Sequence, residues 1–191
     1  KAKFYDQINM SNKGLIGSGT LKHLSSTTKS DEYKFFPDSM LTKAAVFDIE
    51  KDDAGRFPEL KSQDVEIKWL PLKDEWMAFN SEGKSFNMFA NGTTLDGSLN
   101  LRPARLNGTG IINMPDSRIN SNLFTFTSNA IRADTADYNL KSPSTSGYAF
   151  IAENASTEIN FGTKLTKFHL NTDSSMVKFP EIQYICTMTD F

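Results

Sequence analysis

The sequence predicts an all-β chain, on the basis of three observations: alternation of apolar and polar residues, turn residues at short intervals, and very little helical periodicity. Residues 64–69 (DVEIKW) and 95–101 (LDGSLNL) alternate with the period of two that places successive side chains on opposite faces of a strand. Strand starts are expected at Leu95, Leu106, Ile119 and Ile131. Short strands at this spacing, separated by Pro, Asp and Asn turn residues, indicate a sandwich, a barrel or a solenoid.

One segment has a helical alternative. Residues 42–47 (TKAAVF) could form a helical turn, but the segment 91 residues later, 133–138 (ADTADY), has the pattern of a strand. We therefore expect a strand at both places.

The two halves of the chain resemble each other at an offset of 91 residues, which relates Gly17-Ser18-Gly19 to Gly108-Thr109-Gly110. The same offset pairs apolar or aromatic residues along most of the chain: Tyr33 with Phe124, Phe35 with Phe126, Met40 with Ile131, Ala45 with Ala136, and Phe47 with Tyr138. An offset of 92 then relates Trp69 to Phe161 and Trp76 to Phe168, before 91 returns at Phe86 and Val177.

These matches predict two tandem repeats, residues 1–94 and 95–191, with a turn rather than a flexible linker between them. We expect the repeats to form one continuous β-solenoid-like or elongated folded sheet. Two packed β-sandwiches are the alternative.

Composition excludes several classes of protein. A net charge of −2 lacks the basic surface that nucleic acids or anionic membranes attract, so neither is an expected partner. No apolar stretch is long enough to span a bilayer. Cys186 is the only cysteine, which rules out an internal disulfide and a cysteine-rich zinc site. No cofactor is expected.

Both chain ends have the character of internal sequence. The chain begins Lys1-Ala2-Lys3 without an initiator Met and ends at Thr189-Asp190-Phe191. We interpret it as a segment of a longer polypeptide whose neighbouring repeats are its first partners. An apolar run at 182–188 and the absence of a polar cap lead us to expect self-association through the ends.

Three segments carry a resemblance to known proteins: residues 35–40 (FFPDSM), 95–99 (LDGSL) and 131–138 (IRADTADY). They resemble repeats in very large, uncharacterised envelope proteins of Bacteroides-type bacteria. The resemblance covers most of the chain and implies an exported protein of the cell envelope or the extracellular space. No activity and no site residue come with it.

Isolated histidine and cysteine residues do not define a catalytic or metal site in this sequence. His23 and His169 stand apart from each other and from clustered carboxylates, so both are expected to be structural. Cys186 lies in an apolar run without a neighbouring His and is expected to be an inert, buried thiol.

Asp134, Asp137 and Asp116 invite comparison with a glycosidase or a calcium site. Because Asp134 and Asp137 are three residues apart, a regular strand would place them on opposite faces. We therefore expect solvated charges that discourage edge pairing.

Two aromatic residues and a glycine cluster complete the candidates. Trp69 and Trp76 could stack on a sugar, but Trp69 continues an apolar strand face, so core packing is the preferred interpretation. Gly14, Gly17 and Gly19 lack the following helix of a phosphate loop and are expected to mark a bend in a strand.

The sequence thus predicts a non-enzymatic structural or interaction module, with no catalytic, cofactor-binding or metal-binding residue assigned and with a glycan, lipid or protein as a possible ligand. The first alternative is a lipid or glycan carrier with an apolar groove lined by Tyr33, Phe35, Phe124 and Phe126. The second is a polysaccharide-active enzyme that uses the Asp cluster.

Overall fold

Antiparallel strands make up nearly all of the regular structure. The computed structural model describes residues 2–12, 14–170 and 174–180, and these contain one 3₁₀ turn, Pro71–Lys73, and no α-helix. The strands are β1 (Lys3–Ser11), β2 (Gly14–His23), β3 (Ser26–Phe35), β4 (Met40–Ile49), β5 (Leu60–Lys61), β6 (Val65–Leu70), β7 (Glu75–Asn80), β8 (Phe86–Met88), β9 (Thr93–Arg102), β10 (Arg105–Asn113), β11 (Ser117–Phe126), β12 (Ala130–Lys141), β13 (Tyr148–Asn160), β14 (Leu165–His169) and β15 (Met176–Lys178). The all-β prediction is confirmed, and both 42–47 and 133–138 are strand.

All fifteen strands belong to one antiparallel sheet, so the chain does not form two separate sandwiches. Strands β1 to β4 pair in chain order, and so do β9 to β13. Between them, β5 and β6 both pair with β4, while β7 and β8 both pair with β9. At the far side, β14 and β15 both pair with β13. The predicted boundary after residue 94 lies inside β9, where the sheet is continuous.

The alternation of the sequence separates a buried face of the sheet from an exposed one. On β9, Leu95, Leu99 and Leu101 are at most 2% exposed, whereas Asp96 between them is exposed. The buried side chains of nearly all strands from β2 to β13 join into one hydrophobic cluster. Burial of this apolar face is the main driving force that holds the sheet in one structure.

The sheet is curled rather than flat. His23 at the end of β2 stacks on Trp76 of β7 with ring centroids 5.5 Å apart. Three strands, β3, β4 and β6, lie between these two residues in the sheet order, which would separate them by roughly 19 Å in a flat sheet. The inner faces of β2 and β7 therefore meet across the interior.

Register shifts interrupt the ladders at six places in the described residues: two add a residue to β13, and the other four add one to β3, β11, β4 and β12. On β3 and β11, an extra residue lies between Ser30 and Tyr33 and between Ser121 and Phe124. The register also shifts on β4 between Thr42 and Ala45, and on β12 between Ala133 and Ala136. A bulge adds one residue to one strand and so reverses the faces of all residues beyond it.

The last bulge corrects the prediction for the Asp pair. Ala133 and Ala136 both face the core, which leaves Asp134 and Asp137 both exposed on the outer face instead of on opposite faces. The strict alternation assumed from the sequence fails here because the bulge inserts an extra residue between them.

The hydrogen-bond registers also correct the offset of 92. Trp69 lies opposite Met40 on β4, and Ile159 lies opposite Ile131 on β12. Starting from Met40 and Ile131, which are 91 residues apart, the registers relate Trp69 to Ile159, an offset of 90, and so do not support the predicted match of Trp69 with Phe161.

Candidate functional site

The outer edge of β1 is the first candidate for interaction. β1 pairs with β2 on one side, and no strand within residues 2–12, 14–170 and 174–180 pairs with its other side. Phe4 is partly buried, but Ile8 is 48% exposed and Met10 is 86% exposed. We call this side of β1 the leading edge. It combines unpaired backbone groups with bare apolar side chains.

The opposite edge of the sheet is formed by β14 and β15, which lie end to end beside β13. Large apolar side chains are exposed here as well: Leu165 is 54%, Met176 46% and Phe179 47% exposed. We call the outer side of β14 and β15 the trailing edge. Among the described residues, no further strand pairs with it.

In the middle of the sheet, two short strands, β7 and β8, lie end to end beside the long strand β9. We call this contact the central junction. β9 pairs with β7 through Trp76 opposite Leu101 and Ala78 opposite Leu99. It pairs with β8 through Phe86 opposite Leu95. All of these side chains are at most 2% exposed. Two short strands laid end to end can therefore bury the apolar face of one long strand.

A cavity of ≈ 450 Å³ opens near the trailing edge. Its apolar wall includes Met114, Ile159 and Phe161, and its other wall includes Thr166 of β14 and the polar residue Lys164. Asn91, Asp116 and Asn160 line it as well, so the cavity offers both apolar and polar groups to a small ligand or a side chain.

A second concave region, of ≈ 500 Å³, lies on the outer face of β9, β10 and β11. Arg102, Arg105, Asn107 and Asn122 line it. Guanidinium and amide groups donate hydrogen bonds to carboxylates, phosphates and hydroxyl groups, so this surface suits a polar ligand.

His23 is the centre of a buried aromatic cluster that the sequence did not reveal. Its Nε2 lies 2.7 Å from Oδ1 of Asp74, and its ring stacks on Trp76, which in turn stacks on Trp69 with centroids 5.1 Å apart. Asp74 has a left-handed backbone and ends the 3₁₀ turn after β6, which brings its carboxylate to the end of β2. This turn could not be located from sequence periodicity.

The environment of His23 favours the neutral imidazole. Burial lowers the pKa of His23 below its ordinary value of 6.5, and attraction by Asp74 only partly opposes this effect. Nδ1 is buried without a hydrogen-bond partner, which fits a neutral ring whose Nε2–H donates to Asp74. The indole Nε1 atoms of both tryptophans are likewise buried without partners.

Glu75, the next residue after Asp74, forms a second polar cluster. The side chains of Asn100 and Arg102 both donate hydrogen bonds to its Oε1, the guanidinium at 2.9 Å. These two bonds hold the pKa of the Glu75 carboxyl below its usual range. The cluster links β7 to β9 and so stabilises the central junction.

The residues singled out in the sequence do not converge. Asp137 accepts a hydrogen bond from the backbone N–H of Asn154. Asp116 lies in the turn before β11, where its backbone oxygen accepts a hydrogen bond from the N–H of Lys141. This places it near the end of β12 and not beside Asp134. His169 is exposed on β14, far along the sheet order from His23 on β2. Cys186 and the apolar run at 182–188 lie outside the described residues.

The other predicted features have structural positions. Trp76 is 1% exposed and Trp69 packs partly buried against the core, as expected for core aromatics. Of the residues predicted to line a groove, Tyr33, Phe124 and Phe126 are at most 1% exposed, because they fill the interior of the curled sheet.

Gly17 and Gly19 mark a close approach of two strands, as expected for a strand feature. A Cβ on Gly19 would lie 2.5 Å from the backbone oxygen of Tyr5 on β1.

Within the described part of the chain, no group of three or more His, Cys, Asp or Glu side chains could hold a metal ion. That same part holds no helix of the length and apolarity needed to cross a membrane.

The comparisons with known proteins give no relative. No protein-family model, curated protein or solved structure matches the chain.

Proposed function

We propose that this chain is a non-enzymatic structural and interaction module of a larger exported bacterial envelope protein, built from two tandem copies of one β-repeat. The observation that carries the proposal is the agreement between the strands of the two halves. β3 (Ser26–Phe35) and β11 (Ser117–Phe126) differ by 91 residues at both ends, and β2 and β10 begin 91 residues apart, at Gly14 and Arg105.

The irregular features support the same repeat. The bulge at Ser30 recurs at Ser121, and in each the serine Oγ accepts a hydrogen bond from the backbone N–H two residues later, at 3.2 Å and 3.1 Å. Gly19 and Gly110 have φ values of +122° and +125°. Bulges are rare interruptions of a ladder, so their recurrence at one offset is a stronger argument than strand length.

The aromatic packing supports it as well. Tyr33 and Phe35 lie with ring centroids 6.2 Å apart and planes at 29°. Their counterparts Phe124 and Phe126 lie 5.9 Å apart with planes at 30°. A repeat that buries its face only against adjacent units is suited to extending an array, as in other elongated repeat proteins.

The role in the cell envelope rests on the sequence resemblance and can be tested directly. Antibodies raised against the purified chain should label intact source cells and detect, in the envelope fraction, a polypeptide larger than the 21.4 kDa of this segment. Antibodies against a cytoplasmic protein, as the control, should not label intact cells. Detection only in the cytoplasmic fraction would contradict the proposal.

The cavity of ≈ 450 Å³ favours one alternative, a carrier of an apolar ligand. A carrier incubated with a lipid extract and repurified should retain lipid in stoichiometric amount by native mass spectrometry. Thr166→Trp, which fills the cavity with a large ring, should then abolish retention. The module proposal expects no retained lipid in either protein.

A further inference from the structure

We infer that the leading edge of one copy of this chain pairs with the trailing edge of a second copy, in the register with which β9 pairs with β7 and β8. The inference rests on the repeat proposed above and names its partner, a second copy of the same fold. The internal junction at β9 is the template for the contact.

Within residues 2–12, 14–170 and 174–180, no strand covers the leading edge as β7 and β8 cover β9. At the offset of 91, Ile8 and Met10 of β1 occupy the positions of Leu99 and Leu101 on β9. The two leucines are 2% and 1% exposed, because β7 covers them, whereas Ile8 is 48% and Met10 86% exposed. The difference between the two strands is the missing neighbour.

β1 also lacks the usual protection of an exposed strand. Edge strands are commonly kept short or made unattractive by lysine, proline or bulges. β1 is nine residues long and contains no proline, and its charged residues, Lys3 and Asp6, lie in its first half, away from Ile8 and Met10. It is therefore well suited to accept another strand.

The trailing edge offers the complementary surface. The registers on β13 place Phe168 of β14 in the position of Ala78, Val177 of β15 in the position of Phe86, and Phe179, directly after β15, in the position of Met88. Ala78, Phe86 and Met88 are at most 1% exposed under β9, whereas Phe179 is 47% exposed. The side chains that would meet β1 are thus already present.

If β1 of the second copy pairs with β14 and β15 as β9 pairs with β7 and β8, the residue pairs across the contact are determined. Trp76 opposite Leu101 becomes Thr166 opposite Met10 of the second copy, and Ala78 opposite Leu99 becomes Phe168 opposite Ile8. Phe86 opposite Leu95 becomes Val177 opposite Phe4. Apolar cross-strand pairs of this kind stabilise a sheet.

The cavity is explained by the same contact. Thr166 occupies the position of Trp76, which fills the interior of the first half, and the smaller threonine lines the cavity of ≈ 450 Å³. Docking brings Met10 of the second copy beside Thr166, at the wall of this cavity. The most exposed apolar residue of β1 then lies at the mouth of this cavity.

The two edges are different surfaces, so the contact is heterologous and leaves one leading and one trailing edge free after each addition. The purified chain should therefore form open oligomers whose mass grows with concentration. Sedimentation velocity over about 1–300 µM should show this growth.

Met10→Lys tests the leading edge. A lysine charge among the apolar side chains of the contact between the two edges should weaken association at least about tenfold. Because Met10 is exposed in the free chain, its fold should not change. The matched control is Leu72→Lys: Leu72 is 88% exposed but lies in the 3₁₀ turn, away from both edges, and its substitution should leave association unchanged. Equal effects of both substitutions, or a strictly monomeric parent chain, would overturn the inference.

Disulfide trapping tests the register, in a Cys186→Ser background that removes the natural thiol. The template pairs Met77 with Asn100 and Phe79 with Ser98, which become Lys167 with Asn9 and His169 with Gln7. A chain with Asn9→Cys mixed with a chain with Lys167→Cys should give a covalent dimer, as should Gln7→Cys with His169→Cys.

The crossed mixtures serve as controls. Asn9→Cys with His169→Cys, and Gln7→Cys with Lys167→Cys, are each two residues out of register and exceed the reach of a disulfide, about 7 Å between Cα atoms. Preferential trapping of the crossed pairs, or of Asn9→Cys with itself, would overturn the proposed contact. Such a result leaves the envelope module intact, since that role is tested separately by labelling of intact cells.

Discussion

Gly110 on β10 lies directly opposite Gly97 on β9, and the two backbones approach so closely that neither position has room for a side chain. A Cβ on Gly110 would lie 2.1 Å from the backbone oxygen of Asp96, and one on Gly97 would lie 2.0 Å from that of Thr109. In the other half, Gly19 faces Asp6, whose φ of +118° is a strained value for a residue with a side chain. A close approach of two neighbouring strands therefore occurs in both halves of the chain, at Gly110 and at Gly19.

Gly110→Ala should destabilise the protein by at least about 3 kcal/mol, because the substitution adds both an unfavourable φ of +125° and a clash with backbone atoms that cannot move aside. Urea denaturation followed by circular dichroism measures the loss. Gly14→Ala is the matched control: Gly14 has a φ of +106° but nothing within 4 Å of an added Cβ, so only the conformational strain, about 1–2 kcal/mol, applies. Equal losses at both positions would show that close approach has no role.

The strands could be predicted because a half-buried sheet imposes a period of two on the sequence. The expected starts at Leu95, Leu106, Ile119 and Ile131 lie within two residues of the observed strand starts. The buried aromatics Tyr33 and Phe124 also follow from this pattern.

The bulges and the His23 cluster could not be predicted in the same way. A bulge at Ala133–Ala136 inserts one residue without a Gly or Pro to mark it, so Asp134 and Asp137 were assigned to the wrong faces. The contact between His23 and Asp74 depends on curling of the sheet and on one left-handed residue, and both are consequences of tertiary packing.

His23 should make stability depend on pH. Because its pKa is lowered in the folded protein, the unfolded chain binds a proton more readily below the ordinary pKa of 6.5. The neutral ring's contribution is therefore fully present above pH 6.5 and is lost progressively as the pH falls from 6.5 through the lower pKa of the folded protein. The free energy of unfolding, measured in urea between pH 5 and 7.5, should decrease toward acid.

His23→Met should flatten this dependence, since methionine does not titrate and the residue 91 positions later, directly after β10, is the buried Met114. His169→Met is the control, because His169 is exposed on β14 and its replacement should leave the slope unchanged. A wild-type slope retained in His23→Met would contradict the assignment.

Glu75→Gln should destabilise the central junction by about 1–3 kcal/mol at pH 7, because the amide replaces a buried carboxylate that accepts hydrogen bonds from Asn100 and Arg102. The lowered pKa of Glu75 means that its contribution is present above the unfolded pKa, near 4.5, and is lost as the pH falls through the folded value. The difference between wild type and variant should therefore shrink toward acid.

Glu66→Gln provides the comparison for this measurement. Glu66 lies 3.5 Å from Lys43 in an exposed ion pair, so its loss should change the free energy of unfolding by less than about 0.5 kcal/mol. A similar cost for both glutamates would indicate that the Asn100 and Arg102 hydrogen bonds contribute little.

Ser121→Ala and Ser30→Ala should each cost about 1–2 kcal/mol, because each removes the hydroxyl that accepts the backbone N–H inside a bulge. Ser121 Oγ also donates to the backbone oxygen of Thr135 at 2.7 Å, and Ser30 Oγ accepts from Thr42 Oγ1 at 2.6 Å, so each serine ties its bulge to the next strand. If the halves are copies of one repeat, the two losses should agree within about 0.5 kcal/mol and should add in the double variant, since the sites share no partner.

Ser39→Ala is the control: its hydroxyl contacts only the exposed Asp38 carboxylate, and its loss should have little effect on the urea midpoint. A large cost at Ser121 together with none at Ser30 would mean that the two bulges are held by different interactions, and the bulges would then no longer support the repeat.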